Sequence, residues 1–585
     1  MLQLRTQKQI EAKKLKRAVA AAMVAISQKI PDSPTQEDIK LVKDAIPHLA
    51  EVAQNLTDVV SDQDLIWPFV GLGKFYRGQS LYAITQAWCE ECVTVLKSRL
   101  GNEHPHVATS LNNLGEVYCS QGRYSEAEPL LMQALVMRKP LLGDEHPDVA
   151  TTMNNLASLY SSQGRYTEAE PLLIKALATY KHLLGDKHPN VAISLNNLAK
   201  LYNSQGRYTE AEPLLIEALA TYKHRFGDEH LNVAISLSNL ASLYSSQGRY
   251  TKAEPLYIKA LEMTKRLLGD EHLDVASSMN CLAGLYDSQG RYTEAEPLYV
   301  EALVMRKRLL GDEHPDVASS MNNLAFLYSS QGRYTKAEPL YIKALEMTKR
   351  LLGDEHPHVA QSLNNLASLY HSQGLYSEAE PLFIQALVMR KRLLGDKHPD
   401  TISSLNNLAF IYHSQRRYSE AEPLFVLALV MRKRLLGDEH PDVATSLNNL
   451  GELYYFQGRY SEAEPLLIEA LVMWKRLLGD EHPHVAQSLS NLAELYRSQR
   501  RYNEAEPLFI QALAMKKRLL GDKHPDIASS LNNLAGLYYF LGRYSEAEFL
   551  LIETLEILEQ ELGANHPNII TTQNNLESLR QRRQS

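Results

Sequence analysis

Apolar residues recur along the chain at helical spacing, and the whole pattern returns every 42 residues. Residues 143–184 show the unit. Val149, Met153, Leu156, Ala157 and Tyr160 fall three and four apart, which predicts a first helix (A) with one apolar face. Pro147 suits a first helical position, where its missing N–H costs nothing. Gln163-Gly164 marks the end of helix A, since glycine readily takes φ > 0 there. Tyr166, Ala169, Leu173, Ala176 and Leu177 then predict a second helix (B). Thr167 followed by Glu170 reads as a capping box, with Thr167 as N-cap. Acidic residues open helix B and basic ones close it, as in Arg306-Lys307-Arg308, which suits the helix dipole. Pro171 falls early enough in helix B to leave it unbroken.

The unit is marked by Gly101, Gly143, Gly185, Gly227, Gly269, Gly311, Gly353, Gly395, Gly437, Gly479, Gly521 and Gly563. These glycines define eleven full repeats over 101–562 and a truncated twelfth. A lone helical hairpin leaves its apolar face in water, whereas stacked neighbours share one core. A chain of 585 residues would ordinarily suggest about four domains. The repeat replaces that expectation with a single array. Residues 59–100 read as a degenerate repeat carrying Leu72-Gly73, Tyr76 and Tyr82, with Cys92 at an alanine position. Trp67 and Trp88 add bulk that closes its core. Residues 1–58 read as an N-terminal helical cap: a helix over 4–29, then one or two helices over 35–58 interrupted near Pro47. Residues 563–585 read as a C-terminal capping helix, made polar by Glu577 and Arg580.

Composition adds one clue. Tyrosine occurs 31 times against 11 phenylalanines and 3 tryptophans. The repeat explains this, because one tyrosine ends helix A and another opens helix B. The net charge of -8 gives no electrostatic footprint for nucleic acid. No apolar run reaches a membrane-spanning length. The basic start (Arg5, Lys8, Lys13, Lys14, Lys16, Arg17) before an alanine-rich stretch superficially resembles a secretion leader. Its length and alanine content favour a packed amphipathic helix. Four cysteines make no disulfide framework, so a cytoplasmic location is expected.

The candidate chemistry is sparse. Cys89-Glu90-Glu91-Cys92 is a CxxC without a second pair at zinc spacing. His104/His106, His356/His358 and His482/His484 sit in inter-helix loops, one loop per repeat, so a turn and helix-start role is favoured over metal binding. The same histidines also suggest sensitivity to pH near 6.5. Gly71-Leu72-Gly73-Lys74 lacks P-loop spacing, and GxSxG and HExxH are absent. The expectation is therefore no enzyme, no cofactor and no metal.

The pattern Leu156-Ala157-x-x-Tyr160, then Ala169, Leu173 and Ala176, resembles the tetratricopeptide repeat (TPR) signature. The longer unit, with LNNLAxLY, GRYxEAEPL and GDxHPxVA, is similar to the repeats of kinesin light chains and of related bacterial arrays. The resemblance implies an all-α fold, an α-solenoid forming a right-handed superhelix of stacked antiparallel helix pairs. It also implies a concave groove lined by A helices that binds a peptide or partner protein. It does not imply microtubule transport, because no sustained heptads precede the array. Two other roles stay open: the sensor arm of a larger NB-ARC-type signalling ATPase, and a kinesin light chain-like cargo adaptor.

Helix A positions not used by the core are the groove candidates. The first asparagine of each NN pair is one: Asn112, Asn154, Asn196, Asn280, Asn322, Asn364, Asn406, Asn448 and Asn532, with Ser238 and Ser490 in the other two repeats. An amide offers donor and acceptor alike, so a ladder of them suits a peptide backbone. Whether the first or second asparagine faces the groove is open, as is a purely structural role for the ladder. The second is missing only at Cys281. Variation between repeats adds Phe326, Phe410, His371, His413, Tyr455, Phe456, Tyr539 and Phe540, with an acidic stretch over 452–494. Aromatic groups flanked by charge suggest a contact surface for protein, with neither nucleic acid nor membrane as partner. The alternative is packing of these rings against neighbouring repeats.

Overall fold

The structure of the protein, a computed structural model, describes residues 2–31, 34, 36–79, 81–522, 524–561 and 567–584. Gly563 and the start of the expected C-terminal segment lie outside the described residues. Helix accounts for 84% of the chain, arranged as consecutive pairs in an all-α solenoid of the TPR type.

Helix A of the unit at 143 spans Pro147–Ser162 and helix B spans Tyr166–Leu184. The side chain of His146 is the N-cap of helix A. Its Nδ1 accepts from the backbone N–H of Asp148 at 3.1 Å. The same bond recurs at His104, His188, His230, His272, His314, His398, His440, His482 and His524. The loop histidine is thus a helix cap, which fixes its proton on Nε2. Helix A stops at Gly164, whose φ of 72° lets the Arg165 N–H return to the Tyr160 carbonyl at 2.8 Å.

Helix B departs from the expected capping box. It begins at Tyr166, so Arg165 is the N-cap and no side chain caps the helix. Thr167 lies inside the first turn instead. The Arg165 guanidinium holds the Glu168 carboxylate through bonds of 2.7 and 2.6 Å. It also lies 4.0 Å over the Tyr160 ring and reaches Glu128 of the preceding repeat at 2.7 Å. A bidentate charge pair backed by a ring outcompetes one hydroxyl–amide bond. This clasp, repeated along the array, is what the tyrosine at the end of helix A serves. Pro171 leaves helix B continuous.

The core of each pair is built from small and large apolar groups in alternation. Val149, Ala150, Met153, Leu156 and Ala157 of helix A and Ala169, Leu173 and Ala176 of helix B are all buried. The alanines let the helices approach closely. At the N-terminal end, Leu2–Ser27, Gln36–Val42, Ile46–Asn55, Trp67–Arg77 and Tyr82–Leu100 are helical. Ala20 and Val24 join Leu49, Val52, Phe69 and Leu72 in one core. Trp88 lies against Phe69, with ring centroids 6.5 Å apart. At the other end, the helix Pro567–Gln584 buries Leu576 and Leu579 and exposes Glu577 and Arg580.

The chain divides into two compact units, one of residues 1–197, 306–317 and 347–356, the other of 198–305, 318–346 and 357–585. In the first unit, the A helices Pro105–Ser120 and Pro147–Ser162 touch directly. In the second, Pro441–Phe456, Pro483–Ser498 and Pro525–Phe540 do so in turn. Close approach of successive A helices makes theirs the inner face of each unit. Repeats far apart in sequence also meet within the second unit. His440 Nε2 lies 3.4 Å from the carbonyl of Ser204, 236 residues earlier. Gly206, Gly248 and Gly290, all at positive φ, leave room for Pro441, His482 and His524 respectively.

Candidate functional site

The inner face carries the asparagine pairs. Their principal use is between repeats. The second asparagine of one repeat donates from Nδ2 to Oδ1 of the first asparagine of the preceding repeat. Asn155 donates to Asn112, Asn407 to Asn364, Asn449 to Asn406, Asn491 to Asn448 and Asn575 to Asn532, at 2.8–3.2 Å. The first asparagine is buried at 112, 154, 364 and 406, while its neighbour at 113, 155, 365 and 407 is half-buried. The more open amide in these pairs is therefore the second. Asn154 Nδ2 donates to Ser194 at 3.3 Å. The Oδ1 atoms of Asn154, Asn196, Asn280 and Asn322 are buried without a hydrogen-bond partner.

The aromatic candidates divide into exposed rings and packed ones. Phe326, Phe456 and Phe540 stand 58%, 52% and 57% exposed. Phe410 is half-buried and meets the buried Phe425 edge-on, centroids 5.6 Å apart. His413 joins Phe410 to Phe456, with centroids 6.2 and 4.9 Å away. Phe456 in turn meets Tyr455 at 5.1 Å. These side chains make one continuous aromatic step across two neighbouring repeats. His371 Nε2 lies 2.8 Å from Ser414 Oγ. Burial holds both His371 and His413 below the usual histidine range, so both are neutral at pH 7.

Charge flanks this step. Glu494 is paired with Arg497 and accepts from Tyr455 Oη at 3.3 Å. Glu452, one repeat along from Phe410, is raised above the usual carboxylate range by burial alone. Next to it in the array, a cavity of about 240 Å³ brings Asn532, Tyr539 and Phe540 together with Glu494 and Arg497. Arg497 sits 5.2 Å over the Phe540 ring. In the first unit a cavity of about 340 Å³ is lined by Lys74, Arg77, Cys89, Cys92 and Glu116. Burial pushes the Cys89 thiol up to about 12 and Cys92 higher still, so neither is a ready thiolate. Among the described residues no three His, Cys, Asp or Glu side chains converge as a metal site.

Sequence reasoning missed three features here. The buried Arg138, Arg390 and Arg432 run from helix B into the next helix A; Arg432 Nη1, for example, donates to the Asp442 carbonyl and Ser446 Oγ. The inter-repeat direction of the asparagine bonds joins residues 43 positions apart, which spacing alone does not reveal. The third feature is the isolated carboxylate of Asp287, which burial raises to about 7.

Comparison with known proteins agrees with this architecture. The family model described as "Tetratricopeptide repeat" matches twelve overlapping segments running from residue 64 to 584. No curated protein sequence matches the chain. Among solved structures, BtubC (BKLC) from P. vanneervenii is 27% identical, covering 40% of this chain and 92% of its own, with a TM-score of 0.33. A putative kinesin light chain of nearly identical TPR-like repeats from Podosopora anserina is 28% identical, covering 35% of this chain and 98% of its own, with a TM-score of 0.30.

Proposed function

The chain belongs to the tetratricopeptide repeat family, whose arrays serve protein–protein interaction, and we propose that it binds a peptide or partner protein on the inner face of its A helices. The observation that carries this reading is the aromatic step of Phe410, His413, Tyr455 and Phe456, with Phe326 exposed in the same unit. Large exposed rings beside neutral histidines offer anchor surface at little desolvation cost. Asn365 and Asn407, both half-buried, stand beside it with amide groups for a peptide backbone.

The partner is read as protein rather than nucleic acid, since the net charge is -8. No described helix is long and apolar enough to cross a membrane. No disulfide joins the four cysteines, which suits a cytoplasmic setting. The reading describes a scaffold without catalysis.

A displayed library of random 16-residue peptides, selected on the full chain, supplies the test ligand. Replacing Phe326, Phe410 and Phe456 together by alanine should weaken selected peptides about 100-fold. Each half-exposed ring contributes about 1 kcal/mol on burial, and three sum to roughly two decades. Peptides that bind the triple variant equally well would remove the inner face as the site.

A further inference from the structure

The contacts between distant repeats of the second unit form a seam. At each step the capping histidine of one helix A meets the end of another helix A, 236 residues earlier. His440 donates from Nε2 to the Ser204 carbonyl at 3.4 Å, and His482 bonds the Ser246 carbonyl in the same way. One step on, His524 lies against Gly290. The C-terminal end of Leu231–Ser246 thus faces the N-terminal end of Pro483–Ser498, the attractive alignment of two helix dipoles. The fit is close. A Cβ at Gly206, Gly248 or Gly290 would fall 2.6, 2.8 or 2.5 Å from Pro441, Pro483 or His524, so glycine alone fits these turns without a shift.

Sequence follows the seam. Its three turns, 204–206, 246–248 and 288–290, all read Ser-Gln-Gly, and the three loops that meet them read His-Pro. Elsewhere in the same unit both patterns change. Turns read Ser-Gln-Arg at 414–416 and 498–500, Phe-Gln-Gly at 456–458 and Phe-Leu-Gly at 540–542. Arg416 and Arg500 are exposed, and a Cβ at Gly458 or Gly542 would meet nothing within 4 Å. Loops read His-Leu at 230–231 and 272–273. The histidines of those two loops are half-buried, whereas His440 and His482 are 4% and 5% exposed. The changes fall outside the seam, which marks it as a built contact. It is nevertheless a thin one. Neighbouring repeats share a buried apolar core that includes Leu447, Leu467 and Leu489. A seam step holds by a ring, a proline and one long hydrogen bond. Contacts with few apolar groups open at lower cost than the cooperative units they join.

We propose that the seam is a reversible latch: residues 441–540 release residues 198–290 while every repeat stays folded. The released form presents the His-Pro loops and Ser-Gln-Gly turns that the latched form covers. The second unit therefore has two forms with different exposed surfaces, and anything that binds one of them better shifts the balance.

Small-angle scattering and far-UV ellipticity of the full chain test this with two variants of matched backbone strain. Gly206→Arg/Gly248→Arg/Gly290→Arg places in the seam the residue that Arg416 and Arg500 already bring to left-handed turns. Gly374→Arg/Gly458→Arg/Gly542→Arg makes the same change at positive φ where a Cβ meets nothing within 4 Å. The seam variant should have a larger radius of gyration than wild type and control at equal forward scattering. The two variants should have equal ellipticity. In wild type the radius should rise with urea before ellipticity falls, and return on dilution. An unchanged radius in the seam variant, an equal increase in the control, a greater loss of ellipticity in the seam variant, or coincident urea transitions in wild type would overturn the proposal.

Discussion

Acidification should destabilise the array through His482. This cap is 5% exposed, accepts the His484 N–H on Nδ1 and bonds the Ser246 carbonyl through its other nitrogen. Burial, with a smaller contribution from His484, pulls it from 6.5 down to about 3. A protonated ring has no lone pair for the N–H it caps. Because the folded value lies below the unfolded one, the folded chain binds fewer protons between about pH 3 and 6.5. The stabilisation is therefore complete above 6.5 and is lost as pH falls through that window. From pH 8 to pH 5 the loss amounts to about 2 kcal/mol, at 1.36 kcal/mol per unit over the one and a half units below 6.5. Trp474 reports the event locally, since its ring stacks on His484 with centroids 5.2 Å apart. Urea unfolding followed by Trp474 emission, in a Trp67→Phe/Trp88→Phe background, should show this loss. His482→Asn keeps a side-chain oxygen for the cap and has nothing to titrate. The variant should therefore lose about 2 kcal/mol less than wild type over the same pH range. His314, His440 and His524, also held low by burial, contribute to both proteins and cancel. Identical losses in the two proteins would refute the account of the cap.

Two further outcomes follow from the repeat. Arg432→Ala strands the Asp442 carbonyl and the Ser446 hydroxyl, so the urea midpoint should fall by an amount equivalent to about 2–4 kcal/mol. Arg432→Lys should cost less, as Lys516 already occupies the matching place in another repeat and bonds Gln487. Arg416 and Arg500 hold φ of 60° and 62° where other repeats have glycine. Arg416→Gly and Arg500→Gly should each raise stability by about 0.5–1 kcal/mol in thermal unfolding, the left-handed strain outweighing the added chain entropy.

The fold was legible because its signals repeat. Pro147, Gly164 and the spacing of Val149, Met153 and Leu156 mark helix A, and the structure begins and ends it there. Helix B was legible in extent but not in its start. A hydroxyl three residues before a glutamate looks the same whether it caps the helix or lies in its first turn. The arginine clasp that decides the matter needs Tyr160 and Glu128, which become neighbours only on folding. Of the groove candidates, Phe326 and Phe456 are exposed, while Phe410 leans on Phe425. The Asn112–Asn155 bond was not legible, because two asparagines side by side in most repeats give no sign of which member reaches its neighbour. Asp287 went unremarked because its position varies from repeat to repeat, with Ser161, Asn203, His371 and Arg497 at equivalent places, so one more polar residue there gives no sign of its burial.

The central claim is that partners are held on the inner face by its aromatic step. Co-precipitation from cells, with the wild-type chain and the Phe326→Ala/Phe410→Ala/Phe456→Ala variant compared at equal amounts by quantitative mass spectrometry, tests it most directly. The account predicts that proteins retained by the wild type are depleted at least tenfold on the variant while the helical content of both chains is equal. Equal retention by a folded variant would contradict it.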